Sequence, residues 1–425
     1  MKTDALLDEV AAVVAEGNCS GCGACVLLDS RLRMQVVDGG HSRPVADRTV
    51  PASGAGAAEL FAVVCPGRQM SAQRPEGAVR HALLGPVVEA WEAWAVDPAM
   101  RHRGSSGGAL TALSAWLADT GEVTQVVAAT ASAADPSVTV PLTLTDRATA
   151  LAAAGSRYAP VSNAAHPAAA DASGAFVGKP CEASALRALA GARGGPAPLL
   201  LSFFCAGVPT QQATTDLVQH LGLRADEPLS HLRYRGQGWP GRFTAVSGLD
   251  GREVSASYDE SWGRHLGRTT QWRCKICPDG VGESADIAAG DLWRVDERGY
   301  PVFAESDGMS VLIARTRRGA DVVARAVAGG VLQVRPIELA DVVAAQPLQV
   351  SRRTTLFARL LGARLAGRPV PRYRGFGLLA LSLRQPRTAV RAGRGTFRRS
   401  AEWRRSIGAG SARSRSRAGA VEPPS

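Results

Sequence analysis

The segment CSGCGAC, residues 19–25, constrains this chain more than any other stretch of its 425 residues. A CxxCxxC run puts three thiols on one short loop, and the glycines between them let the backbone wrap a cuboidal cluster and aim amides at its sulfides. Three thiolates need a fourth. In the common C-x2-C-x2-C-x3-C-P run it follows after three residues, but Asp29 and Ser30 stand there, and the nearest candidate is Cys65, followed by Pro66 and Gly67. The same four thiolates could hold tetrahedral zinc. Zinc ribbons, however, pair two CxxC knuckles, whereas a triple with a remote Cys-Pro is the 4Fe-4S pattern.

Four further cysteines follow. Cys181 sits in GKPC, between an apolar run and a helix start, where the helix dipole favours a thiolate. Cys205 closes LLLSFFC, and Cys274 and Cys277 form the knuckle CKIC. Two cysteines at the carboxyl ends of neighbouring strands can converge in the crevice where α/β proteins hold ligands. The spacing equally allows Cys181 and Cys205 to be core residues, with CKIC a separate redox pair.

No run of about 18 apolar residues occurs, and Asp4, Asp8 and Glu9 stand where a secretion signal would be apolar. The chain therefore reads as cytoplasmic, where clustered cysteines point to metal or redox chemistry rather than disulfides. The formal charge of +11 lies mostly in residues 376–425, which carry eleven Arg against Glu402 and Glu422. The remainder is close to neutral, so no basic face and no specific nucleic-acid partner is implied.

Residues 1–80 read as a small loop-rich module held by a cofactor. From there, short β-rich runs alternate with helical ones: AFVG (175–178) into PCEASALRALA, PLLLSFFC (198–205) into TQQATTDLVQHLG, and SVLIART (310–316) into RGADVVARAVAGG and VLQVRPI. Such alternation predicts an α/β core. From 376 the Arg/Ser/Gly-rich tail, ending in VEPPS, reads as largely disordered, apart from a short helix in GFGLLALSL (375–383).

RHRGSSGGALTALSAWL (101–117) places a glycine-serine turn at a helix start, whose free amides suit a phosphate; Ser105, Ser106, Gly107 and Gly108 are the residues concerned. SRYAPV (156–161), YRGQGWPGRF (234–243) and ADIAAGDLW (285–293), with Asp286, Asp291 and Trp293, could each line a pocket or pack as ordinary loops. No HExxH and no hydrolase triad order is present.

Taken in order, CSGCGAC, CPG (65–67), RGSSGGALTAL, SRYAPV, FVGKPCEASALRAL, SFFCAGVPT, YRGQGWPG, RCKICPDGVGESADIAAGDLW and GMSVLIARTRRG resemble one family from about residue 19 to 370. It is the coenzyme F420 hydrogenase/dehydrogenase beta-subunit family, which includes 7-hydroxymethyl chlorophyll a reductase. The resemblance implies an α/β protein: a ferredoxin-like 4Fe-4S module (1–80) and a mixed α/β flavin-binding core. That core divides into an N-terminal domain with a flavin-binding turn (81–165) and a C-terminal domain with a second 4Fe-4S cluster (166–375), and the tail is 376–425. It further implies FAD near the SSGG turn, Ser156 and Tyr158. One cluster falls on Cys19, Cys22, Cys25 and Cys65, and another on Cys181, Cys205, Cys274 and Cys277.

Lys179 stands where members that reduce coenzyme F420 typically show Thr, and Arg157 where Lys often precedes the Tyr. The GKPCE and GWPG forms resemble stand-alone bacterial members. Lys179 is accordingly the candidate for contact with an anionic substrate or the flavin. The expected activity is electron transfer between clusters fed by ferredoxin or another redox partner and an organic two-electron acceptor such as coenzyme F420. The competing readings are a non-catalytic electron-transfer subunit and a zinc-stabilised binding protein with an anion-binding tail.

Overall fold

The β-rich runs assemble into one eight-stranded mixed sheet. In chain order its strands are β1 (Glu89–Ala95), β2 (Val126–Ala131), β3 (Thr139–Leu144), β4 (Ala175–Gly178), β5 (Leu199–Phe203), β6 (Ile287–Asp291), β7 (Ser310–Ala314) and β8 (Leu332–Pro336). They lie in the order β8-β1-β7-β6-β5-β4-β2-β3. The four central strands β6, β5, β4 and β2 are parallel to one another, while β8-β1, β1-β7, β7-β6 and β2-β3 pair antiparallel. The α/β expectation is met by this mixed arrangement. The structure is a computed structural model and describes residues 4–51, 56–293 and 305–418, with side chains as far as Ser406. The end of the tail, including VEPPS, lies outside the described residues.

The central strands are apolar on both faces, as crossover connections require. β5 is buried from Leu199 to Ser202 and β7 throughout. Three helices matter for the site. α1 (Ala5–Ala15) and α2 (Ala57–Val64) belong to the amino-terminal module, and α3 (Ala109–Asp119) follows the glycine-serine turn. The loop-rich reading of residues 1–80 missed α1 and α2, although Leu6, Leu7, Val10 and Val13 of α1 recur at helical spacing behind the cap at Asp4. Asp4 caps α1 by accepting the N–H of Leu7 at 3.3 Å. α4 (Pro180–Ala192) begins with Pro at its first turn, and the Glu182 carboxylate accepts the N–H of Lys179 at 2.8 Å. Leu6, Val10, Phe61 and Val64 of the module share one hydrophobic core with Leu186 and Leu189 of α4 and Leu200 of β5.

The carboxyl-terminal third departs from the composition-based expectation. After α5 (Trp272–Lys275) and α6 (Arg317–Ala328) come α7 (Pro347–Leu365), α8 (Leu378–Leu383) and a long α9 (Pro386–Ala418). The short helix near 375–383 is present, but the Arg-rich segment after it is helical as far as Ala418, with Ala389, Thr396 and Ser400 buried, rather than disordered. The physical reason is that Arg and Ala are strong helix formers and that small residues let α9 lie close on α7. A Cβ at Gly362 would come within 2.3 Å of the Gly393 carbonyl, and one at Gly393 within 2.9 Å of the Ala358 carbonyl. Trp403 completes the contact, since Arg368 lies between its ring (4.1 Å) and that of Trp272 (3.9 Å).

Replacing Gly362 by Leu should therefore separate the two helices. We expect a loss of about 1–3 kcal/mol in stability by urea titration, with hydrogen exchange accelerating first in α9.

Candidate functional site

The first cysteine set is built where α1 ends. The chain turns at Gly17, and the Cys19 amide still donates to Val13 at 3.1 Å. The loop then coils so that the Gly21 amide donates to the Cys19 sulfur at 3.4 Å. Gly23 takes φ +90, and a Cβ there would press within 2.8 Å of the Ala165 Cβ, so a side chain is excluded both by conformation and by space. Cys65 closes the carboxyl end of α2, its amide on Phe61 at 2.9 Å. Cys19, Cys22, Cys25 and Cys65 all line one small hollow of about 20 Å³, walled by Val10, Val13, Phe61 and Val64.

The second set is gathered from three places in the C-terminal region. Cys181 lies in the first turn of α4. Cys205 follows β5, with its amide on the Gly280 carbonyl at 2.8 Å and its own carbonyl held by Gln349 Nε2 and Arg352 Nη1, both at 3.1 Å. Cys274 is carried by α5, and Cys277 donates its thiol to the Asp279 carbonyl at 3.1 Å. Cys274 and Cys277 act electrostatically on Cys205, and Cys277 on Cys181. Cys22 also acts on Cys181, so the two sets are neighbours.

Burial pushes these thiols up: Cys205 to about 12, with Cys274 adding to the effect, and Cys25 and Cys181 well above the ordinary thiol value. Left alone they stay protonated, and a metal must displace the protons to bind. Among the described residues no three His, Cys, Asp or Glu side chains converge tightly enough for a single ion. All eight thiols are free of disulfides.

A large cavity of about 430 Å³ opens beside the second set, and Cys205 lines it. Ser105, Ser106, Gly108, Ser156, Tyr158 and Lys179 line it too. Gly107 differs from its expected role: its amide goes to Ser310 Oγ at 2.9 Å, and a Cβ would meet the Ala93 carbonyl at 2.4 Å, so it seats the turn on β1 and β7. Gly108, at φ +73, starts α3, whose first residues Ala109, Leu110 and Thr111 face the cavity with amides that a helix leaves unpaired. Ser105 accepts the Ser156 amide, and Ser106 Oγ donates to the Met309 carbonyl at 2.8 Å. The two segments singled out in the sequence are thus tied to each other.

Lys179 is 5% exposed and fully partnered. Its Nζ donates to Glu182 Oε1 and to the Val161 carbonyl, each at 2.6 Å. Burial works against its charge, but Glu182 and the nearby Cys181 outweigh that and hold it above the ordinary lysine value. The ammonium therefore keeps its proton.

Arg235, within the YRGQGWPGRF loop, is the other buried cation of the cavity. Its Nη1 pairs with Asp291 Oδ2 at 2.7 Å, and its Nε donates to the Pro240 carbonyl at 2.8 Å. The rings of Tyr258, Trp239 and Trp293 surround it at 4.7, 5.1 and 5.2 Å. Its Nη2 is buried without a hydrogen-bond partner, as is Asn163 Oδ1, another cavity residue. Asp286, by contrast, is a structural anchor that pairs with Arg187 and Arg318 under the sheet. The sequence reading missed Tyr258, Trp262 and the start of α7, where Gln346 and Gln349 also line the cavity. Their only signal was aromatic and amide residues in loops, which is not specific.

Two family models match this architecture in sequence. Residues 90–166 match the coenzyme F420 hydrogenase/dehydrogenase beta subunit N-terminal model, and residues 172–340 match the corresponding C-terminal model. The chain belongs to this family. As a beta-subunit family member it is an oxidoreductase-type protein of electron transfer. Among solved structures it is similar to a chain of the F420-reducing [NiFe] hydrogenase complex from Methanosarcina barkeri, at 20% identity over 65% of this chain and 96% of that one, with a TM-score of 0.48. No curated protein matches the chain. Among the described residues no helix is long and apolar enough to cross a membrane.

In this F420-family chain the Lys179–Glu182 pair is testable by stability. Glu182→Gln leaves a buried ammonium without its counter-ion, and removing one partner of such a pair costs about 3–5 kcal/mol. We expect a fall of that order in denaturant unfolding, and a clearly smaller one for the double change Lys179→Met with Glu182→Gln.

Proposed function

We propose that the chain is an FAD- and iron-sulfur-dependent oxidoreductase that exchanges electrons between two 4Fe-4S clusters and an organic two-electron acceptor such as coenzyme F420. The observation that carries this reading is that one cavity is lined both by the glycine-serine turn at the start of α3 and by Cys205 of the second cysteine set. A group held in that cavity lies against a cluster ligand. A non-catalytic relay would need no such chamber beside its cluster, so the cavity favours an enzyme over a pure electron-transfer subunit.

The residues present fit both kinds of group. Cys19, Cys22, Cys25 and Cys65 would hold one cluster in the module of residues 1–80, and Cys181, Cys205, Cys274 and Cys277 the other. The amides at the start of α3, with Ser105, Ser106 and Gly108, would take the phosphates of FAD. The orphaned Arg235 Nη2 and Asn163 Oδ1 offer a donor and an acceptor for ring heteroatoms. Bound there, FAD would supply hydride chemistry toward the acceptor and one-electron exchange toward the cluster.

The chain's own contribution is positioning. Asp291 neutralises Arg235 and fixes its plane, so the remaining N–H selects an in-plane oxygen. Phe203, Phe204, Tyr258, Trp262 and Trp293 line the chamber and give it largely apolar walls. Lys179 holds a fixed positive charge between cavity and cluster, through which it acts on Cys181 and Cys205. Ferredoxin or another one-electron carrier would exchange electrons at the first set. A reducing cytoplasm is the setting in which eight thiols stay available for iron.

Protein purified without oxygen should contain about eight iron, eight sulfide and one FAD, with Cys205→Ser reducing the iron to about four. Zinc without flavin would overturn the reading.

A further inference from the structure

Arg273 immediately precedes Cys274 on α5 and is 1% exposed. Its guanidinium reaches into the amino-terminal module: Nε and Nη2 donate to the carbonyl of Pro66, the residue after Cys65, at 3.3 and 2.9 Å. Nη2 also stands 3.0 Å from the Met70 sulfur, and the Tyr373 ring lies 5.5 Å from the guanidinium carbon. On its other side its charge acts on Cys277 and Cys181, and it reaches Cys19 of the first set. One side chain therefore stands between the two cysteine-bearing segments.

The buried arginines elsewhere fall into two groups: some pair with carboxylates, while Arg315 and Arg352 are held by backbone carbonyls alone among the described residues. Arg235 pairs with Asp291, Arg353 with Glu283 and Arg31 with Asp29. Among the described residues Arg273 forms no ion pair with a carboxylate. What sets Arg273 apart is its place: it adjoins Cys274 in the chain, and its carbonyl partner Pro66 adjoins Cys65. Thiolates holding a cluster would supply the negative charge that its surroundings otherwise lack. An electron added to a buried cluster adds negative charge, which a fixed cation beside a ligand stabilises.

We propose that Arg273 is a positioning residue that serves as the shared counter-charge of the two cysteine sets. It favours the reduced state of the centre held by Cys181, Cys205, Cys274 and Cys277, and through Pro66 it fixes that centre against the one held by Cys19, Cys22, Cys25 and Cys65. This rests on the iron-sulfur reading above.

The test is an EPR-monitored redox titration of the anaerobically purified full chain as wild type, Arg273→Met and Arg273→Lys, each first assayed for iron and sulfide. With Arg273→Met, the reduced-to-oxidised ratio of the second centre at a fixed potential should fall at least tenfold, equivalent to 59 mV for a one-electron couple. The first centre should move less. Arg273→Lys keeps the charge and should stay within about threefold of wild type. Both centres present in Arg273→Met at unchanged potentials would overturn the proposal. A tenfold shift in Arg273→Lys would overturn it as well, whether or not the Met variant assembles. Wild type holding zinc, or fewer than eight irons, would instead sink the iron-sulfur reading itself.

Discussion

Eight thiols gathered in two adjoining groups impose an electrostatic condition that the rest of the structure answers. Desolvation and mutual repulsion hold Cys25, Cys65, Cys181 and Cys205 protonated in isolation. Their burial becomes favourable once metal replaces the protons and cations offset the thiolates. The cations are in place. Lys179 acts on Cys181 and Cys205, Arg352 on Cys205, and Arg43 with Arg273 on Cys19. Each is held by backbone carbonyls or by a carboxylate, so the charge is available without conformational search at the moment of binding.

This condition also explains why such distant segments must meet. Cys205 is clamped through its carbonyl by Gln349 and Arg352 of α7, and α7 is in turn held to the loop after CKIC by the buried pair Arg353–Glu283. Asp279 stiffens that loop by accepting the amides of Val281, Gly282 and Glu283 at 3.1, 2.8 and 3.0 Å. The second cysteine set is thus tied by these contacts to the sheet it borders. β5 supplies Phe203 and Cys205 within three residues, one to the cavity wall and one to the cysteine set, at the carboxyl end of a central parallel strand where α/β sheets hold ligands.

Much of this was legible in the chain because it is encoded locally. The CxxCxxC spacing, the alternation of β-rich and helical runs at 175–220 and 310–336, and the glycine-serine turn before α3 each need only neighbours to be read. What was not legible depends on contacts distant in sequence. Nothing local marks Gly107 as a packing residue on β1 and β7 rather than a cavity residue, because the constraint is the Ala93 carbonyl and Ser310. Its own loop supplies Trp239 and Pro240 to the cage of Arg235, but Tyr258 and the Asp291–Trp293 segment arrive from elsewhere in the chain. Lys179 stood out as a rare lysine, yet its ion pair with Glu182 follows only from the capping geometry of α4.

The arginine-rich tail shows how composition misleads when packing decides. Read as a sequence, residues 376–425 suggest disorder and an anionic partner. In the fold, α9 lies on α7 through glycines that allow backbone contact, and Trp403 and Trp272 enclose Arg368 from both sides. Trp272 is two residues from Cys274, so the last helix bears directly on the segment that carries the CKIC knuckle and Arg273. The face that packs is made of small residues, Ala389, Thr396 and Ser400, while Arg387, Arg391, Arg394, Arg398 and Arg399 stay exposed, so packing explains the helix and leaves its charge facing solvent.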